Sequence, residues 1–504
     1  SLHCKRMSYS AVYVGTAPVL YLDSAQTAWT RPAWPPLADL TSLNNRFTGI
    51  YGVEDTDSNF VSVLVVVSTG TWIIDWGDGM IESGLASNVK RDHFYNYATI
   101  TASPVNGYKP VVVKITTSGG NITTLNLQQK HSQAGLPATA FRVNWLDFAV
   151  NAASMTNLTV GGSIMGMDKL EQFKIYNHSF TVMNNMFEGC ASLRSIPLFN
   201  TSAVTAMNST FAGCLSLESV PLFITNAVTN MANMFQNCFS LQSVPFFNTS
   251  SATVMANMFS GCRSLQSVPL FVTNAVNNMS AMFANCPSLK NVPLFVTNAV
   301  TNMSNMFNNC VSLESVPLFV TNAVNNMSGM FANCPSLKNV PLFVTTAVTN
   351  MSGMFEGCTS LQSVPPFVTT AVTNTSVMFN TCTYLQSVPS FATNLVTTMT
   401  FMFSNCLSLR TLGLLNTSGI TSAANTVNLF NNCISLSKGR TNGIQHSISY
   451  ANCKLSAAAI DDIFTGLGTA SGAPGSQTIT VAGNYGAATC TTSIATNKFW
   501  TVAA

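Results

Sequence analysis

The chain has 504 residues, of which only 8% are charged, and its net charge is +3. That charge is too small and too dispersed for a nucleic-acid-binding surface. No run of 18 apolar residues predicts a membrane span. The length allows roughly two to four domains, and their polar surface has to be made from Thr, Asn and Ser, as suits a protein outside the cytosol or packed into a larger particle.

Residues 1–46 hold Pro18, Pro32, Pro35 and Pro36 with Trp29 and Trp34. This composition predicts little regular structure: a linker, or an attachment arm whose aromatics dock on a partner subunit. The apolar run 11–22 comes after Lys5 and Arg6. Tyr, Thr and Pro interrupt it and no small-residue cleavage site succeeds it, so it is not read as a signal peptide. Nor does Ser-Leu-His before Cys4 make a lipidation box.

Residues 47–118 read as an all-β unit, with strands at Phe60–Val67, Thr71–Trp76 and Lys109–Thr116. Asp75-Trp76-Gly77-Asp78-Gly79 predicts a tight hairpin turn. This WGDG after an alternating strand, with His93-Phe94-Tyr95-Asn96-Tyr97 further on, is similar to the motif of PKD-type sandwiches, although the span is short for one. The resemblance implies a spacer or a contact module. Glu54-Asp55-Thr56-Asp57-Ser58-Asn59 mimics the start of a calcium loop, but Phe60 stands where the glycine belongs and the distal glutamate is missing. Asp75 and Asp78 are read as turn residues.

Residues 119–182 carry three irregularly spaced strand-like runs, at Ile122–Leu127, Met155–Val160 and Lys169–Ile175. They are read as an atypical N-terminal cap for the regular repeats.

Residues 183–436 repeat a 24-residue unit. Cys190, Cys214, Cys238, Cys262, Cys286, Cys310, Cys334, Cys358, Cys382 and Cys406 mark it, and Cys433 comes after a three-residue slip. Phe, Leu, Thr and Pro columns keep the same step. Such a period predicts a solenoid whose coils bury apolar faces against each other. Leu193, Ile196 and Leu198 have LxxLxL spacing and are expected to point inward from a short strand, ended by Pro197. Met183, Met186, Phe187 and Cys190 fall at i, i+3, i+4 and i+7, which predicts one helical segment opposite the strand. Stacking about 4.8 Å apart would give a rod or arc roughly 50 Å long.

The run Met186–Pro197, MFEGCASLRSIP, resembles the BspA-type leucine-rich repeats of bacterial surface proteins. The resemblance implies binding, with related repeats in bacteriophage virion proteins. RPAWPPL (Arg31–Leu37), the WGDG turn and the ending GNYGAATCTTSIATNKFWTV look like the two ends of such virion proteins. In that ending Tyr485 and Phe499 depart from the expected Pro and Gly.

Residues 437–504 are read as a C-terminal cap. They begin with a last strand at Ile448–Tyr450. A helix is expected from N-cap Ser456 to about Leu467, stapled by Leu455 and Ile460. A short strand at Thr478–Val481 and a tail complete the cap. The fold class is therefore mainly β with short helices: a leucine-rich-repeat solenoid preceded by a small β-sandwich-like domain.

Three uses of the repeat columns compete. Stacked cysteines point in parallel and have no second ligand type beside them, so metal binding is disfavoured and buried, reduced thiols are expected. Cys453 and Cys490 could bridge. The threonine column, Thr201 to Thr417, could display hydroxyls to ice, or hydrogen-bond its neighbours in a turn. Binding usually uses the exposed strand face, which puts Arg194, Glu218, Lys290, Glu314, Lys338 and Arg410 forward as contact residues.

His3, His93, His131, His178 and His446 are scattered, and no hydrolase, zincin, Walker or Rossmann signature occurs. The expectation is a non-enzymatic virion structural or adhesion protein without cofactors, at the virion surface. Its partners would be other virion or surface proteins, copies of itself, and a host-surface glycan or protein. The alternatives are a bacterial cell-surface adhesin, and a polysaccharide-acting enzyme using Asp75, Asp78 and Glu82.

Overall fold

The computed structural model describes residues 10–14, 17–21, 34–56, 59–129, 131–132, 143–162 and 167–504, the first two segments as backbone only. Cys4, Trp29, Pro32, Asp57 and Ser58 lie outside them. Strands β1 (Ser10–Val14) and β2 (Ala17–Tyr21) pair as an antiparallel hairpin.

The next ten strands build two sheets over one core: β3 (Arg46–Glu54), β4 (Phe60–Val67), β5 (Thr71–Asp75), β6 (Ile81–Leu85), β7 (Arg91–Phe94), β8 (Tyr108–Ser118), β9 (Ile122–Asn126), β10 (Trp145–Asn151), β11 (Asn157–Thr159) and β12 (Gln172–Ile175). One sheet has the order β12-β10-β3-β8-β5-β6 and the other β11-β9-β4-β7. β3 pairs over nine residues with β8, and its interior positions are all buried. The three strand-like runs of 119–182 do form strands, and these extend both sheets. β9–β11 and β10–β12 are parallel pairs, as successive coils require, whereas β3, β4 and β8 run antiparallel in the same sheets. The sandwich therefore grows directly into the solenoid.

The growth can be traced through the core. Phe47, Phe148, Phe173, Phe187 and Phe211 stack in sequence, and the column continues through every coil to Phe403, Phe430 and Tyr450. Within the repeats adjacent rings lie close and nearly parallel, as in Phe283–Phe307 at 5.8 Å and 4°. That is the offset-stacked range. A second column, Phe223 to Phe367, runs beside it.

The segment expected to be helical is not a helix. Around Phe307 the amides alternate in direction. Met303, Asn305, Phe307 and Asn309 donate to Asn326, Ser328, Met330 and Ala332 of the next coil at 2.7–3.0 Å, while Met306, Asn308 and Cys310 donate three residues back within the coil. Two left-handed residues, Asn305 (φ 55°) and Asn309 (φ 59°), make this possible. The segment is thus two tight turns whose outward amides form an inter-coil ladder. The i, i+3, i+4, i+7 pattern survives because those side chains still turn inward.

Leu198 is also a correction. It stands 68% exposed, and Phe199 is buried in its place. Several later coils, with the same inversion, turn sharply after the proline: Phe319 N–H donates to Pro317 O at 3.0 Å, a bond spanning one residue. This γ-turn swings Leu318 out and Phe319 in. The strand expected before each proline is reduced to sparse contacts. Regular pairing returns near Gly413, which stands at the proline position: β13 (Ser387–Val388) pairs with β14 (Thr411–Leu412), and β15 (Leu415–Asn416) with β16 (Thr441–Asn442). The three-residue slip before Cys433 is absorbed by a 3₁₀ turn at Ala423–Thr426, and the ladder resumes with Met399 N–H to Asn425 O.

The C-terminal cap has β17 (Ile448–Ser449), β18 (Gln477–Thr480) and β19 (Trp500–Ala503) in one parallel sheet, with helices α1 (Ala457–Gly466) and α2 (Ser493–Thr496). Ser456 Oγ accepts from Ala459 N–H, and Leu455 and Ile460 are buried beside it, the expected cap and staple. The tail is more structured than its sequence suggested. Lys498 Nζ donates to the carbonyls of Phe464, Thr465 and Leu467 at 2.7–3.2 Å, placing a cation at the negative end of α1.

Candidate functional site: the faces of the solenoid

The cysteine ladder is closed to chemistry. Cys190 to Cys433 are free, buried thiols, and Cys453 and Cys490 are likewise free rather than bridged. From Cys214 onward each S–H donates to the phenylalanine carbonyl of the preceding coil, as in Cys310 to Phe283 O at 3.1 Å. Many of these carbonyls accept twice. Phe307 O takes both the amide of Cys310 at 3.1 Å and the thiol of Cys334 at 3.0 Å, using its two lone pairs. Burial pushes the thiols up, Cys334 to about 12. Such groups are not thiolates at neutral pH and do not act as nucleophiles.

The threonine column is internal. Thr201 to Thr417 are buried, and each hydroxyl donates to a carbonyl of the next coil, as in Thr297 to Val320 O at 2.7 Å. This column offers no hydroxyls to ice, and its bonds are between coils rather than within a turn. Threonine was legible as a repeat feature; its inward direction was not.

The WGDG turn closes the β5–β6 hairpin. Asp75 accepts from Gly77 N–H at 3.0 Å and Asp78 from Met80 N–H at 3.1 Å. Trp76 is buried, bonded through Nε1 to Glu82, and stacked on His93 at 4.7 Å; His93 in turn meets Asp78 at 2.8 Å, and Tyr95 Oη donates to Trp76 O. The carboxylates proposed for hydrolysis are thus engaged in holding the turn. In the calcium-like loop, Asn59 spends its amide on Glu54 N–H, Glu54 O and Thr56 O. Among the described residues no three His, Cys, Asp or Glu side chains gather as a metal site.

Trp34, expected in an arm that docks on a partner, packs on its own chain against Ile50 and Leu146 and donates to Glu171. Beside it, the segment 34–41 and strands β10 and β12 enclose a groove of about 520 Å³, lined in part by Asp39, Asp147, Gln172 and Tyr176.

The six predicted contact residues do form one column on the solvent face before the prolines. Arg194 pairs with Glu218 at 3.1 Å and Lys338 with Glu314 at 3.9 Å, each between neighbouring coils. Exposed pairs of this kind contribute little to stability. Sequence reasoning missed its neighbour. Leu222, Phe246, Leu270, Leu294, Leu318 and Leu342 stand 52–58% exposed, with Val296, Val320 and Val344 beside them. The signal was the small L-F-V alternation after each proline.

These coils define a leucine-rich-repeat solenoid. The repeat block matches the family described as "Mycoplasma protein of unknown function, DUF285" in overlapping windows, 166–270, 218–318, 255–364, 301–417 and 325–442. Together the windows cover more than half of the chain, which therefore belongs to that family. No curated protein matches it. Among solved structures it is similar to a leucine-rich repeat protein from Eubacterium ventriosum, with 15% identity over 57% of this chain and 90% of that one and a TM-score of 0.33. It is also similar to the pneumococcal vaccine antigen PcpA, with 15% identity over 73% of this chain and 85% of that one and a TM-score of 0.34. No helix among the described residues is long and apolar enough to cross a membrane.

Proposed function

We propose that this chain is a non-enzymatic contact scaffold, a structural or adhesive protein displayed on a virion. The carrying observation is the division of the repeat. Its reactive and hydrogen-bonding groups are spent on joining coils, while one face repeats exposed Leu and Val beside a charged column. Such a surface offers contact area and no assembled acid–base pair. The sandwich with its locked WGDG hairpin would act as a PKD-like spacer. The RPAWPPL run, the WGDG turn and the final GNYGAATC…FWTV segment favour the virion over the cell. The second reading, a bacterial cell-surface adhesin, is favoured by the BspA-type MFEGCASLRSIP core.

The test is location. Purified particles are analysed by mass spectrometry and by immunogold labelling with antibody against the solenoid. Labelled, peptide-positive particles support the virion reading. Peptides released instead by protease treatment of intact bacterial cells move the protein to the cell surface. Detection only inside cells ends both readings.

A further inference from the structure

The geometry points to a second copy of this chain as the occupant of the exposed Leu/Val face, packed antiparallel about the coils of Lys290 and Glu314. This deepens the contact reading above and rests on it.

Three observations lead there. The first is size. Apolar side chains standing half out of six successive coils, with the valines beside them, expose surface on the order of 800 Å², the per-partner area of a standard protein interface and more than monomers usually leave contiguous.

The second is periodicity. The rows repeat at the coil spacing, because every coil is tied to the next by backbone and threonine bonds. A partner that sets one side chain against each coil must have the same repeat, and another copy of this solenoid has it. A glycan supplies no such apolar ladder, and the +3 chain offers no basic belt toward an anionic lipid surface.

The third is charge. Along the column beside the stripe, the positions run Arg194, Glu218, then the neutral Gln242 and Gln266, then Lys290, Glu314 and Lys338. A two-fold axis along the strand direction, midway between the coils of Lys290 and Glu314, reverses the coil order. It sets Leu294 against Leu318 of the second copy, Leu270 against its Leu342 and Lys290 against its Glu314, each twice by symmetry, while Phe246 and Leu222 meet Pro366 and Ser390 at the two ends of the contact. Lys338 then faces the neutral Gln266 and Glu218 the neutral Gln386, and the one like-charge pair, Arg194 with Arg410, falls at the two ends of the contact, where water screens it. The isologous arrangement closes, so it yields a dimer rather than a filament.

The experiment is sedimentation equilibrium of the full chain at about 1–100 µM, with circular dichroism as the fold control. The wild type is expected to dimerise in this range, as a standard-size interface allows. Leu294→Asp with Leu318→Asp should weaken the dimer at least about 100-fold and leave the spectrum unchanged, since both side chains are exposed. Lys290→Glu alone and Glu314→Lys alone should each weaken self-association about tenfold through repeated like-charge contacts. Mixing these two single variants should restore dimers. In the mixed pair both facing positions of one copy are glutamates and both facing positions of the other are lysines, so every contact joins opposite charges.

A wild type that stays monomeric at the top of that range overturns the proposal, whether or not it floats with anionic vesicles. A dimer indifferent to the two aspartates, or single variants that do not pair on mixing, overturns it as well. Location of the protein on particles or cells is read separately, so failure here leaves the surface reading standing.

Discussion

The two long faces of the solenoid solve the same stacking problem in different ways. On the methionine–phenylalanine face the main chain joins the coils: four amides per coil reach the next coil, and paired left-handed residues keep the turns tight. On the proline face the main chain is largely withdrawn. Proline lacks its donor, a γ-turn succeeds it, and a buried threonine hydroxyl makes the inter-coil bond instead. The first face directs its backbone groups into the stack. The second leaves apolar side chains in water. One repeat thus separates a face knitted by its main chain from a face of exposed apolar side chains, and the separation is set by where Asn, Gly and Pro stand.

The largest expected effect breaks both faces at once, through pH. Burial raises the ladder thiols in the folded chain, to about 12 for Cys334, while an unfolded thiol titrates near about 8.5. Above about pH 8.5 the unfolded state therefore holds fewer protons than the folded state, and stability falls as pH rises toward the folded values. Each thiol contributes up to about 1.4 kcal/mol per pH unit in that window, and eleven of them, Cys190 to Cys433, act together. Thermal melts under reducing conditions should show a steep loss of Tm between about pH 8.5 and 10.5, and little change between about pH 6 and 8 from this source. A flat profile through the alkaline window would mean that the thiols are not buried as described.

Phe307→Ala comes next. It opens a hole in the stacked column between Phe283 and Phe331 and should cost about 3–5 kcal/mol, measured by denaturant unfolding. Thr297→Val is smaller. It removes the hydroxyl bonded to Val320 O and should cost about 1–3 kcal/mol, with faster amide exchange on the proline face than on the opposite one. Pro317→Ser is the smallest. It restores a donor of the kind that Gly413 supplies where pairing resumes, so amide protection should rise locally while stability changes by less than about 1 kcal/mol.

Much of this was legible because the repeat averages over many coils. The Phe, Leu and Cys columns read correctly as interior, and the irregular runs of 119–182 read correctly as strands, although their membership of the two sandwich sheets needed the antiparallel partners β3 and β8. The helix at Met183–Cys190 misled because two stacked turns share a helix's side-chain spacing. The discriminating sign was the column of Gly189, Gly213, Asn237, Gly261, Asn285, Asn309 and Asn333, residues that accept positive φ. Leu198 misled because LxxLxL spacing presumes an unbroken strand, and Pro197 ends it one residue too early. On the exposed face the charged column was readable from its tolerance of both signs, whereas the leucines beside it were hidden among the core residues they resemble.

The ring stack from Phe187 to Phe403 keeps neighbouring rings 5.5–5.8 Å apart and within 10° of parallel, so the coils of that stretch present like surfaces to one another. Unequal crossover between the near-identical gene segments could then add or drop whole units, lengthening or shortening the molecule in fixed increments while both ends stay untouched. Reach, in such a protein, is a variable that heredity can adjust without redesigning anything.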